Sequence, residues 1–233
     1  MNELHDGRQT ILARLAAAVS TISPIPAETT APLRPSYQPA DYLPALSRSF
    51  DRLQVTWEIA ENSVVARLTL VIRLQDEGIK QVLAWSAAQL PIVGVLEALE
   101  VLGIEVITPA LYLPDVRLRP QDVEQRRRQL LALETVPVGL TGADLACAAN
   151  GALLLNSGPG RPLLVSQLPR RHIVLLPASR IIPELADWPT AQPGPVTLAT
   201  WITGPSRTLD IEMTPAYGLH GPGKLHVIIV QGI

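Results

Sequence analysis

The spacing of apolar residues along this chain changes several times, and each change marks a structural boundary. From Asp6 to Val19, Ile11, Leu12, Leu15 and Val19 recur at helical spacing, which predicts a short amphipathic helix. Between Ser23 and Pro44 the periodicity disappears, and Pro24, Pro26, Pro32, Pro35, Pro39 and Pro44 dominate. Proline withholds a backbone donor and disfavours helix at the preceding residue, so this stretch reads as an extended strap. From Ala45 onward, helical and strand patterns alternate. A helix near Leu46–Leu53 leads into a strand-like stretch over Leu53–Ala60. Asn62 or Ser63 can cap a second helix to about Gln75, closed by Gly78. Strand-like Gln81–Ser86, a helix near Ile92–Leu102 stopped by Gly103, and strand-like Ile104–Pro109 follow. Arg119-Pro120-Gln121-Asp122 then opens a charged helix to about Leu133.

The second half repeats the alternation. Val136–Thr141 reads as a strand, Gly142–Ala149 as a short helix and Gly151–Asn156 as a strand. His172–Pro177, Val196–Thr203 and Leu225–Val230 complete the strand set. Apolar strands of this length, interleaved with helices, predict a mostly parallel sheet covered on both faces. The expected organisation is an N-terminal helix and proline-rich extension over residues 1–44, followed by one α/β domain over 45–233.

Composition narrows the partners more than the fold. With 17% charged residues and a net charge of −2, no basic field is present to attract nucleic acid. Lys80 and Lys224 are the only lysines, so the cationic groups are overwhelmingly guanidinium, which fits carboxylate and phosphate bidentately but reads first as the arginine habit of a GC-rich genome. Cys147 is the single cysteine, which rules out an internal disulfide and a four-cysteine iron–sulfur or zinc site. The first twenty residues lack a secretory pattern, because Glu3 and Asp6 stand where positive charge belongs and Arg8 and Arg14 interrupt the apolar face. No uncharged apolar run reaches the ~18 residues a spanning helix needs. A cytoplasmic protein is expected.

Three strand-to-turn segments carry the candidate chemistry, since ligands in open α/β sheets settle at the carboxyl ends of strands. In the first, a strand ends at Thr203, turns through Gly204-Pro205 and is predicted to enter a helix near Ser206. A helix start would offer free N–H groups to an anion, with Ser206, Arg207 and Thr208 adding donors. The plainer reading is a structural turn with Ser206 as cap and an Arg207–Asp210 ion pair; Asp210 and Glu212 then belong to a charged helix face. In the second, Thr141-Gly142 and Asp144 follow a strand, and Gly158-Pro159-Gly160-Arg161-Pro162 forms a stiff turn after the next. Arg161 can clamp an anion there or lie solvated, and Asp144 reads as a helix cap or a general base. In the third, Ser179 and Arg180 follow a strand and are predicted to open a helix. If all three turns share one rim of the sheet, they enclose a donor-rich cleft.

The histidines add less. His220, in a turn before Gly221-Pro222-Gly223, can reach the cleft as a proton carrier, so Asp144, Asp210 and His220 are the catalytic candidates. His226 reads as packed, His172 as locally hydrogen-bonded at a strand start, and His5 as terminal. No pair has helix-face metal spacing, so no metal is expected. Cys147, among alanines, reads as a small buried hydrophobe.

Taken in order, Thr141-Gly142-Ala143-Asp144, Ser157–Pro162, Pro177-Ala178-Ser179-Arg180-Ile181, Ile202–Glu212 and Gly218-Leu219-His220-Gly221-Pro222 resemble the LUD domain of the LutC/YkgG family. The resemblance is dense from about Val136 to Val230. It implies a three-layer α/β sandwich like that of the NagB/RpiA/CoA-transferase group. It also implies a part in oxidising L-lactate to pyruvate, beside two companion proteins that carry iron–sulfur clusters. On that reading the chain is an accessory component that holds no cofactor itself and binds a small anionic ligand, its iron–sulfur partners, or both. The alternatives are an independent enzyme acting on a phosphorylated or CoA-linked molecule, and a purely structural subunit. One departure stands out: where the family pattern has Glu-Thr-Gly-Thr, this chain has Ala149-Asn150-Gly151-Ala152.

Overall fold

The computed structural model describes residues 7, 10–14, 17, 38–109, 120–188, 198–209, 212 and 214–233. Its contacts divide into two units, 1–36 and 37–233. In the first, all the described residues, including Ile11 and Leu12, are helical, within the span the sequence predicts. The proline-rich stretch from Ser23 as far as Tyr37 lies outside the described residues.

In the second unit a 3-10 turn (Pro39–Asp41) leads into helix α1 (Tyr42–Leu53), which starts three residues before the apolar pattern becomes regular. Strand β1 (Thr56–Ala60) and helix α2 (Ser63–Asp76) follow. Asn62 is the cap: its side chain accepts from the Val64 and Val65 N–H groups at 2.9 and 3.0 Å. Such a cap stabilises a helix by about 1 kcal/mol. Then come β2 (Gln81–Ala84), α3 (Val95–Val101), β3 (Glu105–Ile107), α4 (Pro120–Glu134) and β4 (Val138–Gly142).

Past β4 the structure departs from the predicted order in three places. Gly142–Ala149 is not a helix but strand β5 (Leu145–Cys147), paired antiparallel with β6 (Leu153–Asn156). Alanine-rich sequence favours helix, but here pairing overrides propensity. The Asp144 N–H donates to the Leu154 carbonyl, and the Asp144 carboxylate takes the Asn156 N–H, both at 2.8 Å. Helix α5 (Leu164–Gln167) and strand β7 (Arg171–Pro177) come next. Ser179-Arg180 then forms a single 3-10 turn that runs straight into β8 (Ile181–Ile182), which pairs with β5, so no α-helix opens there. Finally, β9 (Ala199–Ile202) is followed by β10 (Arg207–Leu209) and β11 (Pro215–Tyr217), an antiparallel pair where a helix from Ser206 is predicted. β12 (Lys224–Val230) closes the chain.

The central sheet has the order β1-β12-β7-β4-β2-β3, with every pairing parallel. A second sheet, β8-β5-β6-β9, is mixed. Burial shows how the first is covered. β4 is buried at all five positions, and β7 and β12 at every position after the first, so both faces of the central strands are shielded from water. Val227, Ile228, Ile229 and Val230 are 0% exposed. Each such side chain contributes about 1.5–3 kcal/mol on full burial. The α/β architecture with a mostly parallel sheet is thus the one the periodicity predicts.

Candidate functional site

The strand order places a topological switch point between β2 and β4: from β2 the chain runs outward to β3, while from β4 it runs inward to β7. Ligands of open α/β sheets settle outside the carboxyl ends of strands at such a point. Here that place is filled by the chain's own loop. The Ser86 N–H donates to the Gly160 carbonyl at 2.9 Å, and Gly160, at φ +74°, lies so close that a Cβ would overlap the Ser86 hydroxyl. The Arg161 guanidinium donates to Asp144 at 2.7 Å and to the Gln89 side-chain Oε1 at 2.6 Å, and stands 5.2 Å over the Trp85 ring. Arg180 arrives from the other side and donates to the Ala143 carbonyl at 2.9 Å. Two of the three predicted arginines therefore do meet at one rim, with Gly158 and Gly160. Both are engaged by protein oxygens, and Asp144 is bound as an ion-pair partner rather than as a helix cap. Ser179, in the same turn, donates to the Ile233 carbonyl at 2.8 Å. Gly142 and Thr141 lie buried within β4.

Arg207 is elsewhere. Gly204–Arg207 packs beside Leu53 and Gln54, the residues leading into β1, and so lies at the amino-terminal ends of the parallel strands. The expected single cleft shared by all three turns does not form. The reason is the strand that delivers the turn: β9 lies in the second sheet, antiparallel to β6, so its carboxyl end is not a carboxyl end of the central sheet.

At this amino end lies a cavity of about 490 Å³, lined by Ser166 and Gln167 of α5, His172 of β7, Thr200–Thr208, and His220–Pro222 and Leu225 leading into β12. The cavity gathers Thr203, Gly204, Ser206, Arg207, Thr208 and His220 from the predicted set. Ser206 is held by its backbone, with its N–H on the Pro222 carbonyl at 2.8 Å and its own carbonyl receiving the Gly218 N–H at 3.0 Å. Its hydroxyl oxygen accepts the His220 N–H at 3.2 Å, which leaves the hydroxyl proton to donate outward. The Arg207 guanidinium is exposed and, among the described residues, meets only the Gln54 side-chain Oε1 at 3.5 Å. Asp210 lies outside the described residues, and Glu212 is exposed.

Sequence reasoning missed the wall formed by His172. This residue is 1% exposed, and its Nε2 lies 2.8 Å from the Thr141 hydroxyl on the adjacent strand. Burial pushes its pKa from the ordinary 6.5 down to about 3, so the ring is neutral. Its Nδ1 is buried without a hydrogen-bond partner among the described residues. The signal was a polar ring opening an otherwise apolar strand, but only tertiary structure shows what faces it. His226, on β12, is also buried. Its Nδ1 lies 2.8 Å from the Thr56 hydroxyl and its Nε2 3.0 Å from Glu58, which also pairs with Arg73. Burial, aided by Arg73 and opposed by Glu58, lowers its pKa to about 4. Cys147 is fully buried and burial raises its pKa. Among the described residues no group of His, Cys, Asp and Glu could hold a metal ion, and no helix is long and apolar enough to cross a membrane.

Comparison with known proteins assigns the family. The LUD domain family model matches residues 58–230, from β1 to the end of β12. This chain belongs to the LUD domain family. Among similar proteins are lactate utilization protein C of Shouchella clausii, 30% identical over 66% of this chain and 64% of the relative, and lactate utilization protein C of a Geobacillus species, 33% identical over 47% and 48%. The match thus spans between about half and two thirds of those relatives' length. The crystal structure of a DUF162 family protein from Deinococcus radiodurans shares the fold, with a TM-score of 0.57 over 84% of this chain and 99% of that one, at 16% identity.

The β5–β6 turn carries Ala149-Asn150-Gly151-Ala152, where the resemblance implies Glu-Thr-Gly-Thr. The turn is closed locally: the Asn150 side chain accepts the Ala152 N–H at 3.0 Å, and the Gly151 N–H donates to the Cys147 carbonyl at 2.8 Å. Ser49 donates to the Ala148 carbonyl at 2.9 Å and Arg52 to the Ala149 carbonyl at 3.2 Å. A glutamate at position 149 would border a groove already lined by Arg48 and Arg52. With alanine there, the turn itself contributes backbone acceptors, and the carboxylate lining this groove is Asp51, which accepts the Trp57 indole N–H at 2.9 Å.

Proposed function

We propose that this LUD-domain chain serves L-lactate utilization as a component that carries no iron–sulfur cluster, binds a small anionic ligand, and works beside partners that do carry clusters. The observation behind the ligand is the convergence of Ser206, Arg207, Thr208 and His220 on one 490 Å³ cavity. A guanidinium with one weak protein contact, an outward hydroxyl and a glycine turn suit a carboxylate or phosphate. Two relatives named lactate utilization protein C support the metabolic setting. A single buried cysteine is too few for a cluster held by four cysteines, which supports assigning electron transfer to partners.

The test has two arms. Calorimetric titration of the full chain with L-lactate and pyruvate is expected to show saturable binding that Arg207→Ala weakens about tenfold, the loss of roughly 1.4 kcal/mol for one charge-assisted contact. Co-expression with the iron–sulfur proteins of a lactate-utilization operon is expected to yield a complex. Absence of both binding and association would refute the proposal.

A further inference from the structure

The size of the cavity and the state of His172 say more about the ligand than its anionic head does. A three-carbon hydroxy acid has about six heavy atoms and fills roughly 180 Å³, taking ~30 Å³ per water-sized group. The cavity measures about 490 Å³, within the range that holds ligands of nucleotide or drug size. Its walls are mixed: Trp201 and Leu225 supply apolar surface, and Pro205 and Pro222 flank Ser206. Trp201 is also fixed in place, edge-on to Trp188 at 5.6 Å between ring centres.

His172 gives this volume a direction. A buried polar atom without a partner costs about 1–3 kcal/mol, so such atoms are rare unless something else satisfies them. The Thr141 hydroxyl takes Nε2 and fixes the ring, leaving Nδ1 of this cavity-lining residue buried with no partner among the described residues.

We propose that the cavity receives an oxyanion-headed molecule much larger than lactate, with its head at Ser206–Thr208, its body against Trp201 and the prolines, and an uncharged hydrogen-bonding group on His172 Nδ1. This rests on the reading of the cavity as the ligand site. It adds that the ligand is not the three-carbon acid alone, and it assigns His172 as a specificity-determining residue with Thr141 as its positioning residue.

Titration calorimetry on the full chain tests this with four probes: L-lactate and inorganic phosphate as heads alone, and 3-phenyllactate and adenosine 5′-monophosphate as heads with a flat body. At least one large probe is expected to bind ten times tighter or more than its matching head, and which of them does so distinguishes carboxylate from phosphate. His172→Gln is expected to remove most of that advantage while leaving head-only binding within twofold. Thr141→Val, which keeps the side-chain volume and frees the ring, is expected to reduce it several-fold. Arg207→Ala should weaken every probe. A cooperative thermal transition in each variant shows that it is folded. If the heads bind as tightly as the large probes, or if neither His172→Gln nor Thr141→Val changes the large-probe affinity, the inference is overturned while the proposed anion site stands. If no probe binds at all, both fail.

Discussion

Removing the titratable group at position 172 should change how stability depends on acidity, and the size of the change follows from burial alone. In the folded chain the His172 ring takes up a proton only near pH 3, against an ordinary value of 6.5 once the chain unfolds. The unfolded state therefore binds more protons throughout the window between those two values. Stability from this group is fully present above about pH 6.5 and drains away as the pH falls toward 3. From pH 7 to pH 5 the loss is about 2 kcal/mol, because an unfolded histidine goes from mostly neutral to mostly protonated while the folded one does not respond. His226 adds a loss of the same sign, since its folded value of about 4 is also depressed. The clean measurement is therefore a difference between proteins. Urea unfolding of wild type and His172→Gln at pH 7 and pH 5 should show the variant losing about 2 kcal/mol less across that interval, whatever its stability at pH 7. Equal losses in the two proteins would mean that His172 is not held neutral, and that Nδ1 has a partner or water able to accept its charge.

Two other substitutions test the packing. Gly139 in β4 lies against the Val165 carbonyl of α5, where a Cβ would overlap backbone, so Gly139→Ala should destabilise the chain by about 3 kcal/mol or leave it insoluble, read by thermal unfolding. A variant as stable as wild type would show that α5 does not sit where described. Cys147 is fully buried with its pKa raised, so the native protein should react with a thiol reagent only slowly and release one reactive thiol on unfolding. Immediate labelling of the native chain would contradict that burial.

The elements legible from periodicity are those whose burial is set by their own sequence. β4, β7 and β12 are continuous apolar runs, and only a strand covered on both faces needs such a run. The Asn62 cap and the turns at Gly78 and Gly103, both at positive φ, are visible because their chemistry is local. The failures share one cause. Gly142–Ala149, Ser179–Leu185 and Ser206–Asp210 each follow a strand and look like helix starts, because serine, aspartate and alanine favour helix ends and interiors when considered alone. Gly142–Ala149, Ser179–Ile182 and Ser206–Leu209 instead become short strands or turns that add to the second sheet or to the β10–β11 pair. Nothing within those segments specifies a second sheet, since their partners are β6, β5 and β11. The misplaced site follows from this. Arg161, Arg180 and Arg207 are legible as residues on turns, but which end of the sheet a turn faces depends on those same missed pairings.

The two ends of the sheet therefore hold arginines of different kinds. At the switch point Arg161 closes an ion pair with Asp144, with the two side chains 25% and 17% exposed, and the loop around Gly160 fills the space a ligand would occupy. At the amino end Arg207 is exposed and its contact to Gln54 is long. One guanidinium is part of the fold and the other is available to a ligand. Arg161→Ala strands a partly buried carboxylate that still accepts the Asn156 N–H, and should cost about 1–3 kcal/mol of stability while leaving anion affinity within twofold. Arg207→Ala should do the reverse, moving stability by less than about 0.5 kcal/mol, as a surface change does, while weakening anion binding about tenfold. Measuring stability and affinity on the same two variants separates the ends of the sheet. If Arg161→Ala abolishes binding and Arg207→Ala leaves it unchanged, the ligand lies at the switch point after all, with the Gly158–Arg161 loop moving aside to admit it.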